Sequence, residues 1–173
     1  MRVLSFVVLT LVLAGCATAP AGNGSSGAAS SNTATPTQTQ SFVAALEAKR
    51  GSALTLAERL QVQGLTGTAK VGLNNAQNNF LNKVGAQVGL NGAVSSAMFP
   101  EAGKPLSENA AVAKIESSLG KKLTVADQTA VKAATALRNN SLGNLRQGLA
   151  ASIGSRTGMS TDVVLALMPM LGL

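Results

Sequence analysis

Apolar residues recur every three or four positions from Ser41 to Leu173, and no window shows a sustained alternation of apolar and polar residues. The three-to-four spacing is typical of one face of an α-helix, whereas alternation would indicate a strand. The longest stripe predicts a helix from Thr66 to about Leu90. Its apolar members are Ala69, Leu73, Ala76, Phe80, Val84 and Val88. Its opposite face is predicted to carry Asn74, Asn75, Gln77, Asn78 and Asn79. The pattern therefore predicts an all-α domain over residues 41–173, with about six or seven short amphipathic helices.

Capping residues and helix breakers predict where these helices begin and end. Ser41 is the expected cap of the first helix, and Thr55 with Glu58 forms a capping box for a helix that reaches about Val62. The other expected caps are Ser107, Thr124 and Ser160, and the expected stops or breaks are Gly51, Gly120, Asn139-Asn140, Gly154 and Pro169. The last helix is predicted from Val163 to about Met168.

Residues 51–58 and 120–127 resemble each other. Each segment has Gly, two further residues, Leu-Thr, an aliphatic residue, Ala and an acid. We interpret the similarity as two helix starts that use the same capping chemistry. The alternative is a duplicated helical unit.

The segment from Val163 to Leu173 is apolar on all sides. Such a segment is either buried in the core or forms a docking tail that contacts a partner. The residues that would serve in either role are Val163, Val164, Leu167 and Leu171.

The first residues have the order of a secretory signal peptide. Met1 and Arg2 form a positive start, residues 3–13 are mostly apolar, and Ala14-Gly15-Cys16 follows. Eleven helical residues span about 16 Å, roughly half of a bilayer core, so residues 1–15 are expected to be removed rather than kept as an anchor.

Leu13-Ala14-Gly15-Cys16 resembles the lipobox of bacterial lipoproteins. The resemblance implies that signal peptidase II cuts before Cys16, that the thiol carries diacylglycerol, and that the new amino group is acylated, for example with palmitate. Two or more acyl chains give stable membrane anchoring. Ala17 follows the cysteine where an Asp would favour the inner membrane, so the resemblance implies the outer membrane, with the domain facing the periplasm or the cell surface.

Residues 17–40 carry no charge and consist of Ala, Gly, Ser, Thr, Asn, Gln and Pro. This composition predicts a flexible linker, since it offers little apolar surface to bury. The expected organisation is therefore a signal peptide over 1–15, the lipidated Cys16 with its linker over 16–40, and the helical domain over 41–173.

Composition excludes several kinds of chemistry within this chain. There is no His, Trp or Tyr, and Cys16 is the single cysteine. Histidine-dependent catalysis, a His-ligated metal site and an intrachain disulfide are therefore excluded. Four Phe give little scope for base stacking. We expect no catalytic residue, no metal site and no cofactor other than the acyl chains on Cys16.

The remaining catalytic candidates are weak. Ser118 lies three residues before Lys121, a spacing used by some acyl-transfer enzymes, but Gly120 lies between them. Residues 64–70 are glycine-rich without the Gly-Lys-Ser/Thr ending of a phosphate loop. The acids are Glu47, Glu58, Glu101, Glu108, Glu116, Asp127 and Asp162. Most are predicted in first turns or on helix surfaces, where they favour the helix dipole.

The chain is basic, with 14 Lys and Arg against 7 acids, and removal of residues 1–15 would remove only Arg2 from this balance. The cations of the second half look dispersed: Lys121, Lys122, Lys132, Arg138, Arg146 and Arg156. In an envelope protein they would favour weak contact with anionic lipid, lipopolysaccharide or acidic wall polymers. The expected export and the scarcity of aromatics argue against nucleic acid.

These features predict a non-catalytic accessory or scaffold subunit of an outer-membrane assembly for secretion, pili or polysaccharide export, held by its lipid anchor and bound to an envelope protein. One alternative is a small enzyme that modifies peptidoglycan or lipid. The other is a lipoprotein that excludes phage.

Overall fold

In a computed structural model, the described residues, 37–173, form six α-helices, one 3₁₀ helix and no strand. The α-helices are α1 (Gln38–Arg50), α2 (Leu56–Val88), α3 (Gly92–Met98), α4 (Glu108–Leu119), α5 (Val125–Thr157) and α6 (Thr161–Leu167), and the 3₁₀ helix is Met168–Leu171. The predicted all-α fold is confirmed. The predicted signal peptide, Leu13, Ala14, Gly15, Cys16 and the linker up to residue 36 lie outside the described residues.

Two long helices, α2 and α5, form the centre of the domain. Each has 33 residues and is about 50 Å long. They are antiparallel, because Gln87 bonds to Asp127 near one end while Gln77 bonds to Arg138 further along. The predicted breaks after Val62 and at Asn139-Asn140 are wrong. A glycine such as Gly64 costs a helix about 1 kcal/mol, which is less than the burial of two or three flanking side chains contributes.

The predicted caps are largely confirmed. Thr55 and Glu58 form the capping box of α2, and Thr124 and Ser160 accept amide hydrogen bonds at the starts of α5 and α6. Ser107 lies at the N-cap of α4 without a side-chain cap bond. The prediction of Ser41 is wrong, because α1 begins at Gln38 with Thr37 as its cap. Gly154 does not end α5, which runs on to Thr157.

The domain contains a structural repeat, in which the elements of a first unit recur in a second unit at one constant offset along the chain. Helix α2 covers 56–88 and α5 covers 125–157, while α3 covers 92–98 and α6 covers 161–167. Helices α1 and α4 end at residues 50 and 119. The left-handed glycines after the helices match as well, with Gly51 and Gly89 in one unit and Gly120 and Gly158 in the other. Both segments are helix starts with the same capping chemistry, as expected, but the match extends over six helices, so the alternative of a duplicated unit describes the fold.

The two units are interlocked, since each core takes side chains from both. The first core combines α1 and the beginning of α2 with the end of α5, α6 and the 3₁₀ helix. The second combines α4 and the beginning of α5 with the end of α2 and α3. Leu46 in the first core and Ile115 in the second occupy equivalent positions of the repeat, and both are fully buried.

The C-terminal segment belongs to the first core. Val164 and Leu171 are buried, and Leu167 packs against the same cluster while partly exposed. Val163 is partly buried. Of the two predicted roles, core and docking tail, the structure assigns this segment to the core.

Candidate functional site

The loop between α3 and α4, residues 99–106, is held in place by one buried arginine of α5. The Arg138 side chain is only 4% exposed. Its Nη atoms donate to the carbonyl oxygens of Glu101, Ala102 and Lys104 at 2.6, 2.9 and 2.9 Å. The same guanidinium donates from Nε to Gln77 Oε1 at 2.7 Å and from Nη1 to Asn139 Oδ1 at 3.4 Å. Arg138 therefore acts as a support for the loop and is not one of the dispersed surface cations that the sequence suggested.

Three further side chains bind the same loop. Gln77 Nε2 donates to the Phe99 carbonyl at 2.6 Å, and Arg146 Nη2 donates to the Gly103 carbonyl at 2.9 Å. Asn139 accepts from the Leu106 amide and donates to its carbonyl. The pattern predicts Gln77 on the polar face of its helix, but the side chain is buried, where it links Arg138 to the loop.

Aromatic contacts complete the support. Phe80 and Phe99 meet edge to face, with ring centroids 5.2 Å apart. The Arg138 guanidinium lies 5.6 Å from the centre of the Phe80 ring, and Lys114 Nζ lies 5.5 Å from the centre of the Phe99 ring. Both geometries are those of cation–π pairs. The loop thus rests on a cluster that contains two cations and two rings.

The cluster is strongly positive. Burial lowers the pKa of Arg138, yet an arginine stays protonated in proteins. No carboxylate of the described residues forms an ion pair with it, so carbonyl dipoles and side-chain oxygens compensate its charge. Lys104 Nζ bonds to Glu101 Oε1 at 2.8 Å, and this hydrogen bond, with the charge of Lys104, lowers the pKa of Glu101.

Two hollows flank the Glu101–Lys104 pair. One is a cavity of about 160 Å³, whose lining includes Phe99, Pro100, Pro105, Lys114 and Arg138. The other is a more open groove of about 430 Å³, whose lining includes Gln38, Lys70, Leu73, Gly103 and Gly172. Because Gln38 is the first residue of α1, the chain enters the domain beside this groove.

The equivalent corner of the other unit has different chemistry. When the two units are aligned with Leu56 on Val125, Arg138 matches Ala69, Lys114 matches Ala45, and Lys104 matches Leu173. Phe99, Pro100 and Glu101 match Met168, Pro169 and Met170. Ala69, Met168 and Leu173 are buried together in the first core. The fold therefore closes this corner with apolar packing and main-chain hydrogen bonds, and the charged version occurs in one of the two units.

The acidic candidates are mainly engaged in helix ends and ion pairs. Glu47 accepts from the Leu54 amide and from Arg59, and Glu116 accepts from the Leu123 amide, Lys122 and Gln128. These contacts lower the pKa of Glu47, mainly through the Leu54 amide, and the pKa of Glu116, mainly through Lys122. Glu47 and Glu116 are also equivalent in the alignment of the two units. Each of them stabilises the turn that precedes the long helix of its unit, by accepting the Leu54 or the Leu123 amide.

The remaining candidates are the Ser–Lys spacing, metal-binding clusters, membrane-spanning helices and exposed apolar residues. Helix α4 ends at Leu119, between Ser118 and Lys121, so these two residues do not share one helix face. Among the described residues no cluster of acids or cysteines could hold a metal ion. Within the same part of the chain, no helix has the length and hydrophobicity of a membrane span. The large exposed apolar residues include Leu56, Leu60 and Val125.

No family model, curated protein or solved structure matches this chain. The charged corner, by which we mean the 99–106 loop with Lys104, Lys114 and Arg138, was not predicted from the sequence. Its signal was present, because alignment of the two units places Arg138 opposite Ala69 and Lys114 opposite Ala45.

Proposed function

We propose that the protein is a lipid-anchored component of the bacterial envelope, whose helical domain serves as an accessory or scaffold subunit of an outer-membrane assembly. The observation that carries the proposal is the order of residues 1–16, with a positive start, an apolar run and Leu13-Ala14-Gly15-Cys16. Acylation of Cys16 would hold the protein at the outer membrane, and the uncharged linker would hold the domain away from the headgroups.

The anchor is tested with Cys16→Ala. Its matched control is Gly15→Ala, which leaves the cysteine and keeps a small residue before the cleavage site. We expect the control to stay in the outer-membrane fraction, with acyl chains found by mass spectrometry, and the Cys16 variant to leave it. A Cys16→Ala protein that still fractionates with the outer membrane would disprove the anchor.

The scaffold role is supported by an exposed apolar patch on α2. Leu56 is 74% exposed, and Leu60, one turn later, is 59% exposed. Exposed apolar side chains that lie together are typical of contacts with a partner protein. In the second unit Val125 matches Leu56, but the position that matches Leu60 is Thr129, so the patch is not repeated.

The patch is tested by crosslinking in intact cells. Replacement of both Leu56 and Leu60 by Ser should remove the crosslinked envelope partner, while Val125→Ser, at the equivalent position, should leave it. Equal crosslinking by both variants and the original chain would argue against α2 as the contact surface. Turnover of peptidoglycan or lipid by the purified protein would argue for the enzyme alternative.

A further inference from the structure

The charged corner has more positive charge than its support of the loop requires. Arg138 is buried and its donors are used by the loop, whereas Lys104, which pairs with Glu101, and Lys114 are exposed and line the 160 Å³ cavity with it. Lys70 adds a cation to the adjacent groove. Glu101 is the one acid among the described residues that line either hollow. The corner therefore carries a surplus of positive charge that an anion would neutralise.

The loop is arranged so that its carbonyl oxygens do not oppose an anion. The carbonyl oxygens of Phe99, Glu101, Ala102, Gly103, Lys104 and Leu106 all accept hydrogen bonds from side chains of α2 or α5. Arg138 uses its donors for this purpose, so it would act on a ligand through its charge. Lys104 and Lys114 would supply the hydrogen bonds, and lysine is a common phosphate ligand.

The size of the cavity limits the ligand. A volume of about 160 Å³ equals the liquid volume of roughly five water molecules. This space fits a phosphate group with a few attached carbon atoms. Phe99, Pro100 and Pro105 provide apolar wall for those carbons, as in small-molecule sites that combine apolar walls with a few polar groups.

We propose that the cavity beside the 99–106 loop binds the phosphate of an anionic phospholipid headgroup, with Lys104 and Lys114 as its ligands. The choice of a lipid rests on the proposed function, because the linker would enter the domain at Gln38, beside the same loop. Headgroup binding would then turn this corner towards the membrane that holds the anchor. The apolar corner of the other unit, at Met168–Leu173, lacks these lysines.

The test uses the purified chain from Ala17 onward, which keeps every described residue and lacks Cys16. Its binding to vesicles of phosphatidylcholine alone is compared with binding to vesicles that also contain phosphatidylglycerol. We expect binding only to the anionic vesicles, weakened about fivefold by Lys104→Gln or Lys114→Gln, each worth about 1 kcal/mol at an anionic surface. The matched control is Lys49→Gln, which removes an exposed lysine of α1 that lines neither hollow. Thermal unfolding checks that each variant stays folded.

Three outcomes separate the explanations. The proposal is supported if Lys104→Gln and Lys114→Gln weaken vesicle binding, Lys49→Gln changes it little, and Glu101→Gln strengthens it. Equal losses for all three lysine variants would overturn it in favour of diffuse attraction. Lysine-dependent binding of glycerol 1-phosphate without binding to vesicles would overturn the lipid source. The purified chain from Ala17 onward lacks Cys16, so a negative result in this experiment does not affect the anchor test with Cys16→Ala.

Discussion

The corner at Met168–Leu173 and the 99–106 loop occupy equivalent places in the two units but are closed by different forces. Met168, Leu171 and Leu173 are buried with Ala69 in the first core. At the equivalent place, Arg138 and three neighbouring side chains hold the loop by hydrogen bonds. The repeat therefore determines the helices, whereas a few substitutions decide whether a corner only packs or also carries charge.

The equivalence of the two cores gives the largest expected effects. Leu46→Ala and Ile115→Ala each remove a fully buried side chain at equivalent positions. Each should lower the free energy of unfolding by about 3–5 kcal/mol, because it leaves a cavity. Urea denaturation measures the free energy of unfolding of both variants. The control is Leu60→Ala, an exposed position, which should change the free energy of unfolding by less than about 0.5 kcal/mol. A large cost for one core variant and none for the other would contradict equivalent cores.

Arg138→Ala introduces the residue found at the equivalent position of the other corner, Ala69. The free energy of unfolding should fall by about 3 kcal/mol, because three loop carbonyls lose their donor and Gln77 loses the Arg138 hydrogen bond. The measurement is again urea denaturation. Arg156→Ala, on an exposed part of the same helix, serves as the control. If the two arginine variants have the same stability, the loop does not depend on the buried guanidinium.

Gly103→Ala tests the place where the two corners touch. A β-carbon at Gly103 would overlap the carbonyl group of Gly172, its equivalent in the other unit. We expect a loss of about 2 kcal/mol, since backbone must move to make room. Gly64→Ala is the control, because the space around Gly64 is open. In a helix interior that control should raise the free energy of unfolding by up to about 1 kcal/mol. A neutral Gly103→Ala would show that the corners are not in close contact.

The caps give a smaller effect that should be equal in both units. Thr55→Ala and Thr124→Ala each remove the side-chain oxygen that accepts an amide hydrogen bond at the start of a long helix. Each should cost about 1 kcal/mol. Ser107→Ala should cost less, because Ser107 makes no side-chain cap bond. A Ser107 variant as unstable as the two Thr variants would contradict this assignment.

The smallest expected effect is on the pH dependence of stability, to which the equivalent acids Glu47 and Glu116 should contribute alike. The pKa values of Glu47 and Glu116 are lowered below 4.5 in the folded protein, by the Leu54 amide and by Lys122 respectively. A depressed carboxyl pKa contributes stability that is present above the unfolded value and is lost as pH falls through the folded value. We therefore expect stability to fall as pH drops below about 4.5. Glu47→Gln and Glu116→Gln should each flatten this acid limb to a similar degree. An unchanged slope would contradict the paired role of these acids.

The sequence predicted the helical class and the caps at Thr55, Thr124 and Ser160, because these depend on local spacing and local hydrogen bonds. It did not predict the continuity of α2 and α5 through Gly64 and Asn139-Asn140. There, burial against a distant helix outweighs a local penalty. Gln77 and Arg138 were missed for the same reason, since these two partners are 61 residues apart in the chain.

Anion binding at the 99–106 loop is tested by titrating the ¹⁵N-labelled chain from Ala17 onward with glycerol 1-phosphate and following the amide chemical shifts. We expect shifts concentrated in residues 99–106 and around Lys114, with smaller shifts at Leu171 and Gly172, which line the adjoining groove, and little change at Met168–Met170. Equal shifts at both corners, or shifts confined to other parts of the domain, would contradict a specialised charged corner.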